Sequence, residues 1–340
     1  MGAVANQLRF AVGVARGRPF SALVQVTNRC NMRCSFCDFW SNGVAPAEEL
    51  TLDDYRRVAG ELGELGCFLV SIEGGEPTVR PDLVEIVRAF AARHLTVLYT
   101  NGWHVTDELA RALFAAGLTQ VGVSIDFADA DRHDAKRGLT GTTERAWRAV
   151  DLLRAAAPHG GRQVHVMTVL MEENWRELEA LLEQSAAREV GHVVTLLADG
   201  GYRRGPGPDR PPPPEAAAAL EELWRRHDHL RVFRGYFPLM GTFLAQRTDE
   251  LPACRAGLQS FNLDHVGNVA PCIEKIDQPV GNVRDASLAQ LHARLAGPEV
   301  AGAVAGCQQC WTACRAWAQL MGQGGSLPAW RDLATRMRSS

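Results

Sequence analysis

Residues 22–37 read ALVQVTNRCNMRCSFC. The first six are short, mostly apolar and rich in β-branched types, as a strand buried on both faces should be. Cys30, Cys34 and Cys37 follow at once, so three thiols sit on the loop leaving that strand. Similar runs recur at 67–72, 96–100, 120–125, 164–170 and 193–197. Between them apolar residues fall at helical spacing: Leu52, Tyr55, Val58, Ala59, Leu62 and Leu65; then Leu83, Ile86, Val87 and Phe90; then Val105, Leu109, Leu113 and Ala116. Trp147, Val150 and Leu153 mark a fourth helix, and Leu178, Leu181 and Leu182 a fifth. This βα alternation predicts a parallel sheet with helices outside. Its six repeats fall two short of a closed eight-fold barrel, so the expected fold is α/β, a partial (β/α)6 TIM-like barrel. Ligands in such sheets sit at the carboxyl ends of the strands. Those ends lead into 28–37, 73–77, 100–102, 126, 171 and 199–202, where polar residues and glycines gather.

The rest of the chain divides around this unit. Residues 1–20 read as an N-terminal extension and 21–200 as the barrel. Residues 201–235 read as a connector and helix, because 200–214 (GGYRRGPGPDRPPPP) is rich in Pro and Gly. Beyond 235 the rhythm is lost, and 236–318 reads as a separate cysteine-rich module, with a tail at 319–340. The chain has 340 residues and a formal net charge of −3, which gives no electrostatic case for a nucleic-acid or membrane-surface binder. No apolar run approaches the ~20 residues of a membrane span. A cytoplasmic protein is expected.

Nine cysteines stand in two groups, with Cys67 alone, and residues 1–20 hold a short apolar patch without a clean charged, apolar and cleavage-site order. An odd count in that context argues for metal rather than disulfides. The first group, Cys30-x3-Cys34-x2-Cys37, can hold three irons of an iron–sulfur cube and leave the fourth open for chemistry. A zinc ion completed from elsewhere is the alternative, although zinc loops more often pair two cysteines with two others.

The triplet, with aromatic Phe36 before its last cysteine, resembles the signature of the radical S-adenosylmethionine (radical SAM) superfamily. Gly74-Gly75-Glu76-Pro77 at the end of the second strand is similar to that family's GGEP segment, which contacts the methionine amine of SAM. The resemblance assigns Cys30, Cys34 and Cys37 to a catalytic [4Fe–4S] cluster. It implies that Thr100, Asn101, Ser124 and Asp126 line the SAM ribose and carboxylate; Arg137, in a segment that resembles one common in the family, either pairs with a carboxylate at the cofactor or is a solvated face. Reductive cleavage of SAM to methionine and a 5′-deoxyadenosyl radical would follow, with a flavodoxin- or ferredoxin-type electron donor.

Cys254-x12-Gly267-x4-Cys272, followed by Cys307-x2-Cys310-x3-Cys314, resembles the SPASM and shorter twitch modules of the same superfamily, which hold auxiliary [4Fe–4S] clusters. Five cysteines support one such cluster, with Cys254, Cys272, Cys307 and Cys310 as ligands and Cys314 as a possible replacement. Zinc is again the alternative. About 20 residues precede the first strand, too few for the precursor-recognition domain that peptide-modifying members often carry. The expected reaction is therefore the oxidation of a small-molecule intermediate. A peptide maturase or epimerase is the second reading and a non-catalytic iron–sulfur protein the third. His165, Met167, Asp199, Tyr202, Arg203, Glu274 and Lys275 are candidate substrate contacts. Cys67 reads as a buried structural thiol.

Overall fold

The computed structural model of the chain describes residues 3–158, 163–205, 207–321 and 326–335. Six strands carry the barrel: β1 Ser21–Thr27, β2 Leu69–Gly74, β3 Leu95–Thr100, β4 Gln120–Ser124, β5 Val164–Leu170 and β6 Gly191–Leu196. All pair in parallel with their neighbours in chain order, giving the expected open barrel. β2 starts two residues later than the apolar run suggested. Cys67 and Phe68 instead pack at the barrel floor, where the Phe68 amide donates to His94 Nδ1 at 3.3 Å. After the N-terminal helix α1 Ala3–Ala15, the crossovers are α2 Leu52–Leu65, α3 Leu83–Ala91, α4 Asp107–Ala115, the pair α5 Ala130–Arg137 and α6 Thr142–Ala156, and α7 Leu178–Ala187. α2, α3, α4 and α6 bury apolar stripes against the sheet, α7 buries Leu178, Leu181 and Leu182, and α5 buries His133 and Arg137 instead. Thr51 starts α2 with a reciprocal capping box to Asp54, and Gly138 ends α5 at φ +69°.

The last third departs from a module set apart. After α8 Ala216–Arg226 and α9 Tyr236–Leu244, strand β7 Ser260–Leu263 pairs in parallel along β1, from Ser21↔Ser260 to Val24↔Leu263. β8 Asn268–Ala270 and β9 Gly281–Asn282 then add in antiparallel order, so the barrel sheet runs on without a break through nine strands. These strands have two to four residues, too short to show a period in sequence. Phe261 on β7 makes an edge-to-face contact with Phe68, centroids 6.0 Å apart, which ties the hairpin to the barrel core. Helices α10 Leu288–Leu295, α11 Pro298–Ala305, α12 Ala313–Met321 and α13 Leu327–Thr335 complete the described chain. Of the stretch read as a tail, 322–325 and 336–340 lie outside the described residues. Within the rest, Asp332 is buried and accepts from the Arg234 amide at 2.8 Å.

The N-terminal extension is part of the barrel. Phe10 and Val14 of α1 pack with Phe20, Cys67 and Phe233 under the amino ends of the strands, and Asn6 Nδ2 donates to the Ala91 carbonyl at 3.2 Å. No helix among the described residues is long and apolar enough to cross a membrane.

Burial makes the fold acid-sensitive. It lowers His94 and His133 to about 4, and His165 and His192 to about 3. Unfolded, these rings titrate near 6.5. Between those values the unfolded chain binds protons that the folded chain refuses, so stability falls as pH falls. Denaturant titrations should lose about 1.4 kcal/mol per pH unit for each such ring between about pH 6 and 4. A flat profile there would contradict their neutral burial.

Candidate functional site

The cysteine loop is held by the segment after β2 through main-chain bonds. The Gly75 amide donates to the Thr27 carbonyl at 2.7 Å and the Glu76 amide to the Arg29 carbonyl at 2.9 Å. Gly74 is at φ +133°, and a Cβ there would drive into the Thr27 carbonyl. A Cβ on Gly75 would meet the Asn28 carbonyl oxygen at 2.6 Å. These glycines let two loops touch by backbone alone. Gly74→Ala should therefore cost roughly 1–3 kcal/mol in chemical denaturation; a wild-type midpoint would contradict this packing.

Glu76 is gripped from three sides. Its carboxylate accepts from the Thr78 amide (3.0 Å), Thr100 Oγ1 (2.7 Å) and the Asn101 amide (2.7 Å). Asn101 Nδ2 in turn donates to Asn31 Oδ1 at 2.8 Å, joining the end of β3 to the cysteine loop. A pocket of about 190 Å³ opens between these elements. Cys30, Cys34 and Cys37 line one side with Phe36; Gly74, Gly75 and Glu76 line another. Thr100, Asn101, Ser124 and Arg137 also border it.

Two expected contacts stand back from this pocket. Pro77 is buried and opens a short 3-10 turn. Asp126 is fully buried behind the wall. Its Oδ1 accepts from the Val169 amide at 2.9 Å, and its Oδ2 lies 2.6 Å from Arg137 Nη2. Arg137 is thus already paired inside the chain. Its Nη1 reaches Cys34 Sγ at 3.9 Å, and its guanidinium stacks 5.3 Å from the Phe36 ring centroid.

The segment read as a connector is also part of the site. Residues 203–205 and 207 run along the cysteine loop: the Asp38 amide donates to the Arg203 carbonyl (3.0 Å), Gly205 to Phe36 (3.2 Å) and Gly207 to Ser35 (3.1 Å). Pro206 lies outside the described residues. Arg203 is thereby carried inward, where it pairs with Glu274.

The other five cysteines converge although they span 60 residues of sequence. Cys254, Cys272, Cys307, Cys310 and Cys314 line one small cavity of about 30 Å³ with Lys275 and Arg315. Gly267 turns the β7–β8 hairpin at φ +99°, which brings Cys272 back toward Cys254. Arg315 fixes the last loop by donating to the Cys310 carbonyl at 2.7 Å. Burial pushes the thiols of both groups up: Cys30 and Cys310 to about 12, Cys37 to about 11, and Cys34, Cys254, Cys272 and Cys314 in the same direction. Burial therefore disfavours bare thiolates, the condition under which a metal centre supplies the missing positive charge. Among the described residues no three His, Cys, Asp or Glu side chains close tightly enough on one point to hold a single ion. The corners of an iron–sulfur cube need a wider spread of sulfurs than zinc does. Cys67 lies away from both groups, its thiol donating to the Asn6 carbonyl at 3.3 Å.

A larger cavity, about 460 Å³, fills the barrel lumen above α1. His165 and Met167, two residues apart on one face of β5, both line it. Glu73, Tyr99, Thr195 and Arg203 border both this lumen and the first pocket. Cys314 borders both the lumen and the second cysteine cavity. Asp199 is exposed, and Tyr202 packs on Phe39 with centroids 6.4 Å apart. The sequence reading passed over Glu73 and Tyr99. The signal was available: both occupy the lumen-facing phase of their strands one or three residues before a glycine turn.

A family model described as the radical SAM superfamily matches residues 24–184. The chain is 29% identical over 283 residues to the AdoMet-dependent heme synthase of Methanosarcina barkeri, an alignment covering 77% of this chain and 78% of that protein. It is 30% identical over 308 residues to the mycofactocin maturase MftC of Mycolicibacterium smegmatis, covering 87% of this chain and 77% of the relative. The crystal structure of Streptococcus suis SuiB bound to S-adenosylmethionine has the same fold, with a TM-score of 0.65 at 13% identity over 91% of this chain and 73% of that one.

Proposed function

Because the chain belongs to the radical SAM superfamily, whose cofactors are S-adenosylmethionine and a [4Fe–4S] cluster, we propose that it oxidises a substrate held in the barrel lumen, with help from one auxiliary [4Fe–4S] cluster. Bound together, the reduced cluster and SAM supply a 5′-deoxyadenosyl radical that removes a hydrogen atom from substrate. The single observation that carries the proposal is adjacency: the lumen shares walls with the three-cysteine pocket on one side and the five-cysteine cavity on the other.

In this reading Cys30, Cys34 and Cys37 hold the first cluster. Glu76 receives the methionine amine of SAM, and the hydrogen bonds from Thr78, Thr100 and Asn101 aim its carboxylate. Ser124, Thr100 and Asn101 take the polar groups of the nucleoside and methionine. Asp126 acts one layer back, orienting Arg137 over Phe36 and toward Cys34. Cys254, Cys272, Cys307 and Cys310 would hold the auxiliary cluster, which would supply an acceptor for the electron left on the substrate. A flavodoxin- or ferredoxin-type protein delivers the first electron, in a cytoplasmic setting.

Substrate is read as a small molecule. A peptide is the second reading, favoured by the relative named a maturase. Deuterated small molecules and deuterated peptides, offered side by side to the reduced holoenzyme, separate the two. The proposal expects deuterium in 5′-deoxyadenosine and a substrate product two hydrogens lighter. Deuterium transfer with a product that has only exchanged that deuterium for hydrogen, its hydrogen count otherwise unchanged, would replace oxidation by epimerisation or isomerisation.

A further inference from the structure

The lumen carries a specific chemical demand. Its walls are mainly apolar: Leu69, Leu95 and Val97 on one side, Val193 and Met167 on another, and Phe10 of α1 at the floor. Its volume of about 460 Å³ lies in the range that takes a small organic ligand. At the upper end stands one carboxylate, Glu73. Its Oε1 is buried and has no hydrogen-bond partner among the described residues. The nearby guanidinium of Arg203 is already committed to Glu274, so two carboxylates share one cation and the surplus charge is negative. A carboxylate in such a place is costly unless a ligand supplies a donor or a positive charge. Burial, followed by Glu274, raises Glu73 to about 7 against the pull of Arg203, which records the same demand. The lower end differs: its cation is Arg231, which together with burial keeps the His165 ring uncharged, while the charges acting on Glu73 are those of Arg203 and Glu274.

We propose that the lumen is the chamber for a primary amine with an apolar, ring-sized body, its ammonium held by Glu73 and its body lying down the barrel toward Phe10. Because Glu73 borders the first pocket as well, the amine-bearing carbon faces that pocket. This orientation rests on the reading that the first pocket holds SAM, and makes that carbon the one oxidised: it would give a hydrogen atom to the SAM-derived radical, its ammonium a proton to Glu73 and one electron to the auxiliary cluster, leaving an iminium.

The probe is tryptamine, with indolepropionate as a partner of like size and opposite charge. Ligand-observed saturation-transfer NMR on the cluster-loaded, unreduced protein reads binding without turnover. Wild type should bind tryptamine in preference to indolepropionate. Glu73→Gln keeps the shape and removes the charge, and should weaken tryptamine binding about tenfold or more. Val97→Phe fills the chamber from β3 and should abolish binding of tryptamine. Cluster absorbance and circular dichroism should match wild type in both variants. Equal binding of the two probes, no binding of tryptamine by wild type, or a folded Glu73→Gln protein that binds tryptamine as tightly as wild type would each overturn the proposal. Failure of the SAM reading shows separately, as absence of 5′-deoxyadenosine from reduced wild type; the tryptamine result then still decides the chamber.

Discussion

Cys34→Ala should lose 5′-deoxyadenosine production by on the order of a thousandfold or more, and should halve the bound iron from about eight to about four per chain. The thiol is buried, with Arg137 Nη1 and the Arg137 carbonyl each 3.9 Å from its sulfur. Among the described residues only Cys30 and Cys37, both already assigned as ligands, line the first pocket with it, so no spare thiol there can replace it. A cube needs all three anchors on this loop, because its fourth iron must stay open for SAM. The iron that remains belongs to the second cysteine group. Cys67→Ala makes the same chemical change at the barrel floor and serves as the control. It should keep all iron and full SAM cleavage at a stability cost of about 1 kcal/mol. If Cys34→Ala and Cys67→Ala behave alike, the assignment of the loop fails.

Cys310→Ala and Cys314→Ala should differ by a comparable factor. Both thiols are enclosed, and both lie near Thr312, whose Oγ1 is 3.8 Å from Cys310 Sγ and 3.1 Å from Cys314 Sγ. Cys314 alone also opens on the lumen. With Cys310 as fourth ligand, Cys310→Ala strips the auxiliary cluster. Iron falls to about four per chain, SAM is still cleaved, and substrate oxidation falls on the order of a thousandfold because the substrate electron has no acceptor. Cys314→Ala then keeps both clusters. The opposite pattern, iron lost in Cys314→Ala and kept in Cys310→Ala, would make Cys314 the ligand and leave Cys310 spare.

The barrel was legible because each of its strands is a short, mostly apolar run and most of its crossover helices carry an apolar stripe; α5, whose buried residues are His133 and Arg137, has none. The first site was legible for a related reason. Its parts follow successive strands, so chain order and spatial order agree: the cysteine loop after β1, Gly74–Glu76 after β2, Thr100–Asn101 after β3 and Ser124 on β4. What escaped depends on pairings that sequence does not encode locally. β7 shows no period in four residues, yet Phe261 places it against β1 and Phe68. Residues 203–207 look like a flexible connector, because Pro and Gly speak for turns and say nothing about which backbone lies alongside. Asp126 and Arg137 each carry a charge suited to a ligand, but only the fold shows that they pair with each other. Glu73 hid within the motif that follows it. Its significance is a buried oxygen without a partner, and that is a property of the packed barrel.

The central claim is that the loop after β1 and the turn after β2 together hold a cluster and cleave SAM. The most direct test is to incubate anaerobically reconstituted, dithionite-reduced wild-type protein with SAM and to quantify 5′-deoxyadenosine and methionine by chromatography. The account predicts both products in equal amounts, formed only with reductant and absent from Cys34→Ala. Iron-loaded, reduced protein that leaves SAM intact would contradict it.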